Sequence, residues 1–245
     1  MDRLSDTIKN LGFSQTFVMS NKVRDMKANG IDVISLTLGE PDFDVPDNIK
    51  AAAKTAIDEN YSHYSPVPGF LELRKAICDK LKRDNHLDFK PTQICVSNGA
   101  KQSISNVLYS ILNDGDEVIL PVPYWVSYDE MVKMAGGKSV FVPTSIESDF
   151  KITAEQLENA ITPKTKAILF SSPCNPSGSF YTHEELEKLA IVLAKYPKIT
   201  IISDEIYEYI NFETKHASIA AFPEVRDQVA IINGMSKGFA MTGWR

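Results

Sequence analysis

The chain has 245 residues, 43% of them hydrophobic and 24% charged, the proportions of an ordinary globular protein. That length suits one large α/β domain or one and a half smaller ones. A formal net charge of −6 excludes a polybasic nucleic-acid footprint, and no apolar run approaches the ~18 residues of a membrane span. The N-terminal stretch MDRLSDTIKNLGFSQTFVMS has no apolar core with basic flanks, so no secretory signal is expected. Three cysteines (Cys78, Cys95, Cys174) stand far apart without CxxC spacing, which fits free thiols in a reducing cytoplasm. The histidines are too scattered for a zinc site, and no metal is expected.

In chain order, residues 16–30 read as a short amphipathic helix stopped by Gly30. The Pro- and Asp-rich loop GEPDFDVPDN precedes a helix from Asn48 to about Asn60. After the loop YSHYSPVPG, the spacing of Leu71, Ile77 and Leu81 predicts a helix from Phe70 to Arg83. Short apolar runs then recur as strand candidates: 94–97, 117–121, 139–143, 166–172, 199–204 and 229–233. Helical stretches at 102–112, 128–134, 154–160 and 183–196 separate most of them. Strands alternating with helices predict an α/β fold with a mostly parallel sheet sandwiched by helices. The runs lack apolar–polar alternation, as strands buried on both faces should.

In such sheets ligands bind beyond the C-terminal ends of the strands. The loops there are SNGAKQ, PVPYW, SSPCNPSG, SDEIY and NGMSKGFAMTGWR. Each residue in them has an ordinary reading. Lys237 can be a solvated loop charge, Asp204 a helix cap, Asn175 a turn former, Tyr124 and Trp125 core aromatics. GMSKGF lacks the GxxxxGK[ST] pattern of a phosphate-cradling P-loop.

Taken together, SPCNPSG, SDEIY and SKGFAMTGWR resemble the class I/II, fold-type I aminotransferases that use pyridoxal 5′-phosphate, closest to the bacterial aspartate aminotransferases. LGEPDFDVP and YSPVPGFLELR extend the resemblance along the whole chain. It implies that Lys237 holds the cofactor as a Schiff base and then moves the substrate Cα proton, work that needs an amine of lowered pKa. It implies that Asp204 keeps the pyridine nitrogen protonated. Asn175 and Tyr207 are expected at the phenolic oxygen, and Trp125 on the ring face. The amides of Ala100 and Lys101, at a helix start, would receive the phosphate with Ser236 and Arg245. Gly39, Trp125, Asn175 and Lys101 are expected to meet the substrate, Lys101 as partner of a distal carboxylate, with Ser14 and Thr16 on a covering segment. Tyr64 would reach the phosphate of a neighbouring subunit in a homodimer.

The implied reaction moves the amino group of aspartate, or a similar amino acid, to a 2-oxo acid such as 2-oxoglutarate. An aromatic or prephenate aminotransferase, a lyase on the same scaffold, or an inactive fragment are the alternatives. Neither nucleic acid nor membrane is an expected partner. Residues 1–45 are expected to belong to a small α/β domain and 46–245 to an incomplete large, cofactor-binding domain. Gly234 stands where some relatives have serine. The sequence stops at Arg245 inside the motif, so the resemblance implies a further strand and a C-terminal segment with the α-carboxylate arginine. Without them the edge of 229–233 is expected to be exposed and prone to association.

Overall fold

A computed structural model describes residues 3–12, 15–212 and 215–244. Eight helices are described: α1 (Asp6–Lys9), α2 (Gln15–Ala28), α3 (Asp47–Asp58), α4 (Leu71–Asn85), α5 (Ala100–Ile111), α6 (Ser127–Met134), α7 (Ala154–Ala160) and α8 (His183–Leu193). Five strands are described: β1 (Glu117–Val122), β2 (Lys138–Pro143), β3 (Thr165–Ser171), β4 (Thr200–Asp204) and β5 (Val229–Ile232). They form one parallel sheet in the order β2-β1-β3-β4-β5.

Alternation within each strand builds a core on both faces. Val118, Leu120, Ala167, Leu169 and Ile202 pack with Ile104 and Leu108 of α5 and Met131 and Val132 of α6. Ile119, Ile168, Phe170 and Ile201 point the other way, onto Leu157 of α7 and Leu186, Leu189 and Leu193 of α8. The middle residues of β1 and β3 are thus apolar, because neither face meets water. Helix α8 starts where Thr182 accepts from the Glu185 amide (3.2 Å) and Glu185 accepts from the Thr182 amide (2.8 Å), a reciprocal cap.

The expected strand at 94–97 is absent. A strand exists by pairing, and these residues stand across a cavity of about 460 Å³ from the β5 edge. Ile94 and Ser97 line one side of it, Val229 and Ile231 the other, with Ile77 of α4 and Val107 of α5 among the walls. Val96 donates its amide to the Pro68 carbonyl instead (3.1 Å). The short helix α1 was not expected from the sequence. N-terminal to α3, Ile34, Leu36, Leu38 and Phe43 are exposed. Among the described residues, no helix is long and apolar enough to cross a membrane.

Candidate active site

The parallel register brings the strand ends level: Ser171 lies beside Asp204, and Asp204 beside Ile232. Loops leaving β1, β3, β4 and β5 therefore meet at one end of the sheet, where most of the expected residues are found.

Asp204 ends β4 and is buried. One carboxylate oxygen accepts from the Tyr128 hydroxyl at 2.6 Å, the other from the Ile206 amide at 3.2 Å. Among the described residues, no cation pairs with it. Burial pushes its pKa from the usual 3.8 up to about 6; the two hydrogen bonds pull it down, and the charge of Glu205 pushes it further up.

The loop after β3 carries Asn175, whose amide donates to the Tyr207 hydroxyl at 3.4 Å. Burial raises the Tyr207 pKa and the Asn175 bond opposes the rise. After β1 the chain runs through Tyr124 and the half-buried Trp125 into α6. Trp125 meets the Tyr128 ring edge-on, with centroids 5.5 Å apart. Lys101 holds its ammonium 4.9 Å from the Trp125 ring centroid, a cation–π distance.

Helix α5 opens after Gly99, whose φ of +88° places the backbone where a side chain is disfavoured. Gln102 and Ser103 make the first helical bonds, both to the Gly99 carbonyl. The Ala100 and Lys101 amides precede them at the positive end of the helix dipole, where the helix ladder supplies no acceptor. Beyond β5, Ser236 is buried, and Lys237 donates from Nζ to the Gly39 carbonyl at 2.6 Å. Thr242 bonds the Glu40 carboxylate beside that contact. Tyr64 lies apart from this assembly, fully exposed between α3 and α4. Arg245 and Ser14 lie outside the described residues.

A family model for class I and II aminotransferases matches residues 31–245. The chain belongs to this family. It is 50% identical to the aspartate/prephenate aminotransferase of Cereibacter sphaeroides over 99% of its own length and 61% of the relative's. It is 50% identical to the aspartate aminotransferase of Bacillus sp. strain YM-2, over 99% of this chain and 62% of that one. Among solved structures it resembles the aspartate aminotransferase of Rhizobium meliloti (TM-score 0.95, 39% identity, 99% of this chain and 61% of that one). A second is that of Thermus thermophilus with maleate (TM-score 0.95, 41% identity, 100% and 63%). The chain spans about three fifths of the length of these relatives.

Enzymes of this family use pyridoxal 5′-phosphate, and the described residues suit that group. A buried carboxylate without a cation matches a protonated ring nitrogen, a helix N-terminus matches a phosphate, and a lysine stands on the loop after β5. Among the described residues no group of three or more His, Cys, Asp or Glu side chains could hold a metal ion.

Two arrangements escaped sequence reasoning. Tyr128 reads in the sequence as one more aromatic on a helix, although its place three residues after Trp125, past a strand end, was a usable signal. On the opposite face of β4, buried Glu205 accepts from Ser203 (2.9 Å) and Ser218 (2.7 Å) and meets His216 Nε2 (2.9 Å), which ties the 216–218 segment to the strand. The spacing of those residues carries no sequence signal.

Proposed function

We propose that the protein is a pyridoxal 5′-phosphate-dependent aminotransferase that takes the amino group of aspartate, or a similar dicarboxylic amino acid, and passes it to a 2-oxo acid such as 2-oxoglutarate. The observation that carries this reading is Asp204: a carboxylate out of water at a strand end, with no cation paired to it among the described residues, at the sheet end where the loops bearing Asn175, Tyr207 and Trp125 meet. When bound, the cofactor supplies an aldehyde that condenses with amines and a ring that accepts the electron pair left by a departing Cα proton.

The chain's residues supply the rest. Lys237 provides the amine that carries the cofactor and later the base that moves the proton. The Gly39 carbonyl, which accepts from Lys237 Nζ at 2.6 Å, orients that amine. Asp204 holds the proton on the ring nitrogen. The Asn175 amide and the Tyr207 hydroxyl would hold the ring's phenolic oxygen, and Trp125 would pack against the ring. The Ala100 and Lys101 amides, Ser236 and Arg245 receive the phosphate. Lys101, poised over Trp125, takes the distal carboxylate of a dicarboxylic substrate, with Gly39, Trp125 and Asn175 at the substrate's near end.

The relatives' names support the substrate: both carry aspartate. Prephenate as an acceptor is the second reading, favoured by the Cereibacter name. Tyr64, fully exposed on its own chain, suits a residue that reaches into a partner subunit's site, so the working unit is a homodimer. Residues 1–45 belong with the small domain and 46–245 with the large one. The three free cysteines accord with a cytoplasmic setting.

The test uses the whole protein as its gene encodes it. Turnover with aspartate and 2-oxoglutarate is expected, and borohydride reduction followed by peptide mapping should place a pyridoxyl group on Lys237. Label on another lysine, or none, overturns the assignment.

A further inference from the structure

Tyr128 is buried in the first turn of α6, and its hydroxyl has a single described acceptor, Asp204. The 2.6 Å separation lies in the range of an O–H donor on an ionised carboxylate. Burial, then the adjacent Asp204 charge, drives the tyrosine pKa well up, so the phenol stays a donor at any working pH. The ring is fixed by its edge-on contact with Trp125 and by the surrounding core. With one Asp204 oxygen held by this rigid phenol and the other by the Ile206 amide, the carboxylate plane has no freedom to turn.

We propose that Tyr128 is a positioning residue: its hydroxyl clamps the Asp204 carboxylate in one orientation and favours its charged form, and so sets how firmly that carboxylate keeps a proton on the cofactor's ring nitrogen. The proposal rests on the aminotransferase reading above. It gives Asp204 what burial alone denies it. A carboxylate so far from water tends to keep its own proton, and a neutral carboxyl is a poor partner for a pyridinium. The other titratable groups that bear on the pair are few. Glu205, next along the chain, raises the Asp204 pKa; Cys174 on the loop after β3 raises that of Tyr128; Tyr207 feels the Asp204 charge from the loop after β4. Among these, the Tyr128 bond is the largest influence that favours the charged carboxylate.

The experiment compares the whole protein with its Tyr128→Phe variant, which keeps the ring and removes the hydroxyl. In cofactor-free protein with ¹³C-labelled aspartate carboxyls, Asp204 is assigned by its loss in Asp204→Asn. Its titration midpoint should rise by about one to two pH units in the phenylalanine variant, the size of one lost bond to a charged acceptor. With ¹⁵N-labelled pyridoxal 5′-phosphate, the ring-nitrogen resonance should move from the protonated toward the neutral range. Coincident midpoints and an unmoved nitrogen resonance overturn the proposal. Should the variant fail to fold, the wild-type Tyr128 Cζ resonance decides: it should shift with the Asp204 midpoint, and a flat response across that range overturns the proposal equally. Failure of the aminotransferase reading shows separately, as absence of pyridoxyl label on Lys237, while the cofactor-free titration still judges Tyr128.

Discussion

Replacing Asp204 by Asn should stabilise the cofactor-free protein at neutral pH relative to acid. Asp204 is 4% exposed, and burial carries its pKa from 3.8 to about 6. A gap of roughly two pH units corresponds to about 3 kcal/mol at ~1.36 kcal/mol for each. The sign follows from proton binding. Below about pH 4 the carboxyl is neutral in both folded and unfolded chains and costs nothing. Above about pH 6 both have lost the proton, and the folded chain bears the full cost of a buried charge. Stability conferred by the protonated group is therefore lost as pH rises through the folded pKa. Asparagine carries no charge, and its amide can keep both contacts, because the Tyr128 hydroxyl can turn from donor to acceptor. Any fixed difference in hydrogen bonding cancels when the two proteins are compared across pH. Urea unfolding of both cofactor-free proteins from about pH 4 to about pH 8 should show the asparagine variant gaining about 3 kcal/mol on the wild type, mostly between pH 4 and 6. A difference that stays flat, or falls, would show that Asp204 is not a buried charge in want of a cation.

Other outcomes follow from the same geometry. Gly69 has φ +94°, and a Cβ there would lie 2.6 Å from Val96 Cγ2; Gly69→Ala should cost about 2–4 kcal/mol by backbone strain and overpacking. Val96→Ala should recover part of that loss in the double variant, measured by urea midpoints; equal losses with and without Val96→Ala would remove the steric explanation. Lys101→Ala should lower kcat/KM for aspartate about 10- to 100-fold more than for alanine, the effect of one lost charge-assisted bond, and an equal fall for both substrates would refute the distal-carboxylate role.

Sequence and structure agree where burial alone decides. Ile119, Ile168 and Ile201 sit in short apolar runs whose neighbouring positions face opposite, covered sides of the sheet, so β1, β3 and β4 were legible within a residue or two. The start of α8 was also legible, and the Thr182–Glu185 cap fixes it in the structure. ICVS at 94–97 misled because an apolar run states that it is buried but not what it pairs with. The site divides along similar lines. Asn175, Asp204 and Lys237 were singled out from motifs after strands, and the structure sets Asn175 against Tyr207 and Lys237 against Gly39. Tyr128 was passed over: its place after Trp125, past a strand end, pointed to the site, but its contact with Asp204 lies 76 positions away along the chain.

The strand order has a consequence for how the site comes into being. β1 pairs with β2 and β3, β3 with β4, and β4 with β5, so each strand joins one made shortly before it, and the sheet can grow as the chain leaves the ribosome. The segment at 94–97 is different. It precedes every strand yet stands opposite β5, so roughly 130 residues of chain must be laid down before the two can approach. The start of α5 belongs to the early piece, and Lys237 to the late one. A nascent chain halted after β4 would hold Asp204 and Tyr128 in register while lacking the lysine altogether. Assembly thus proceeds from Asp204 outward, and Lys237 arrives last.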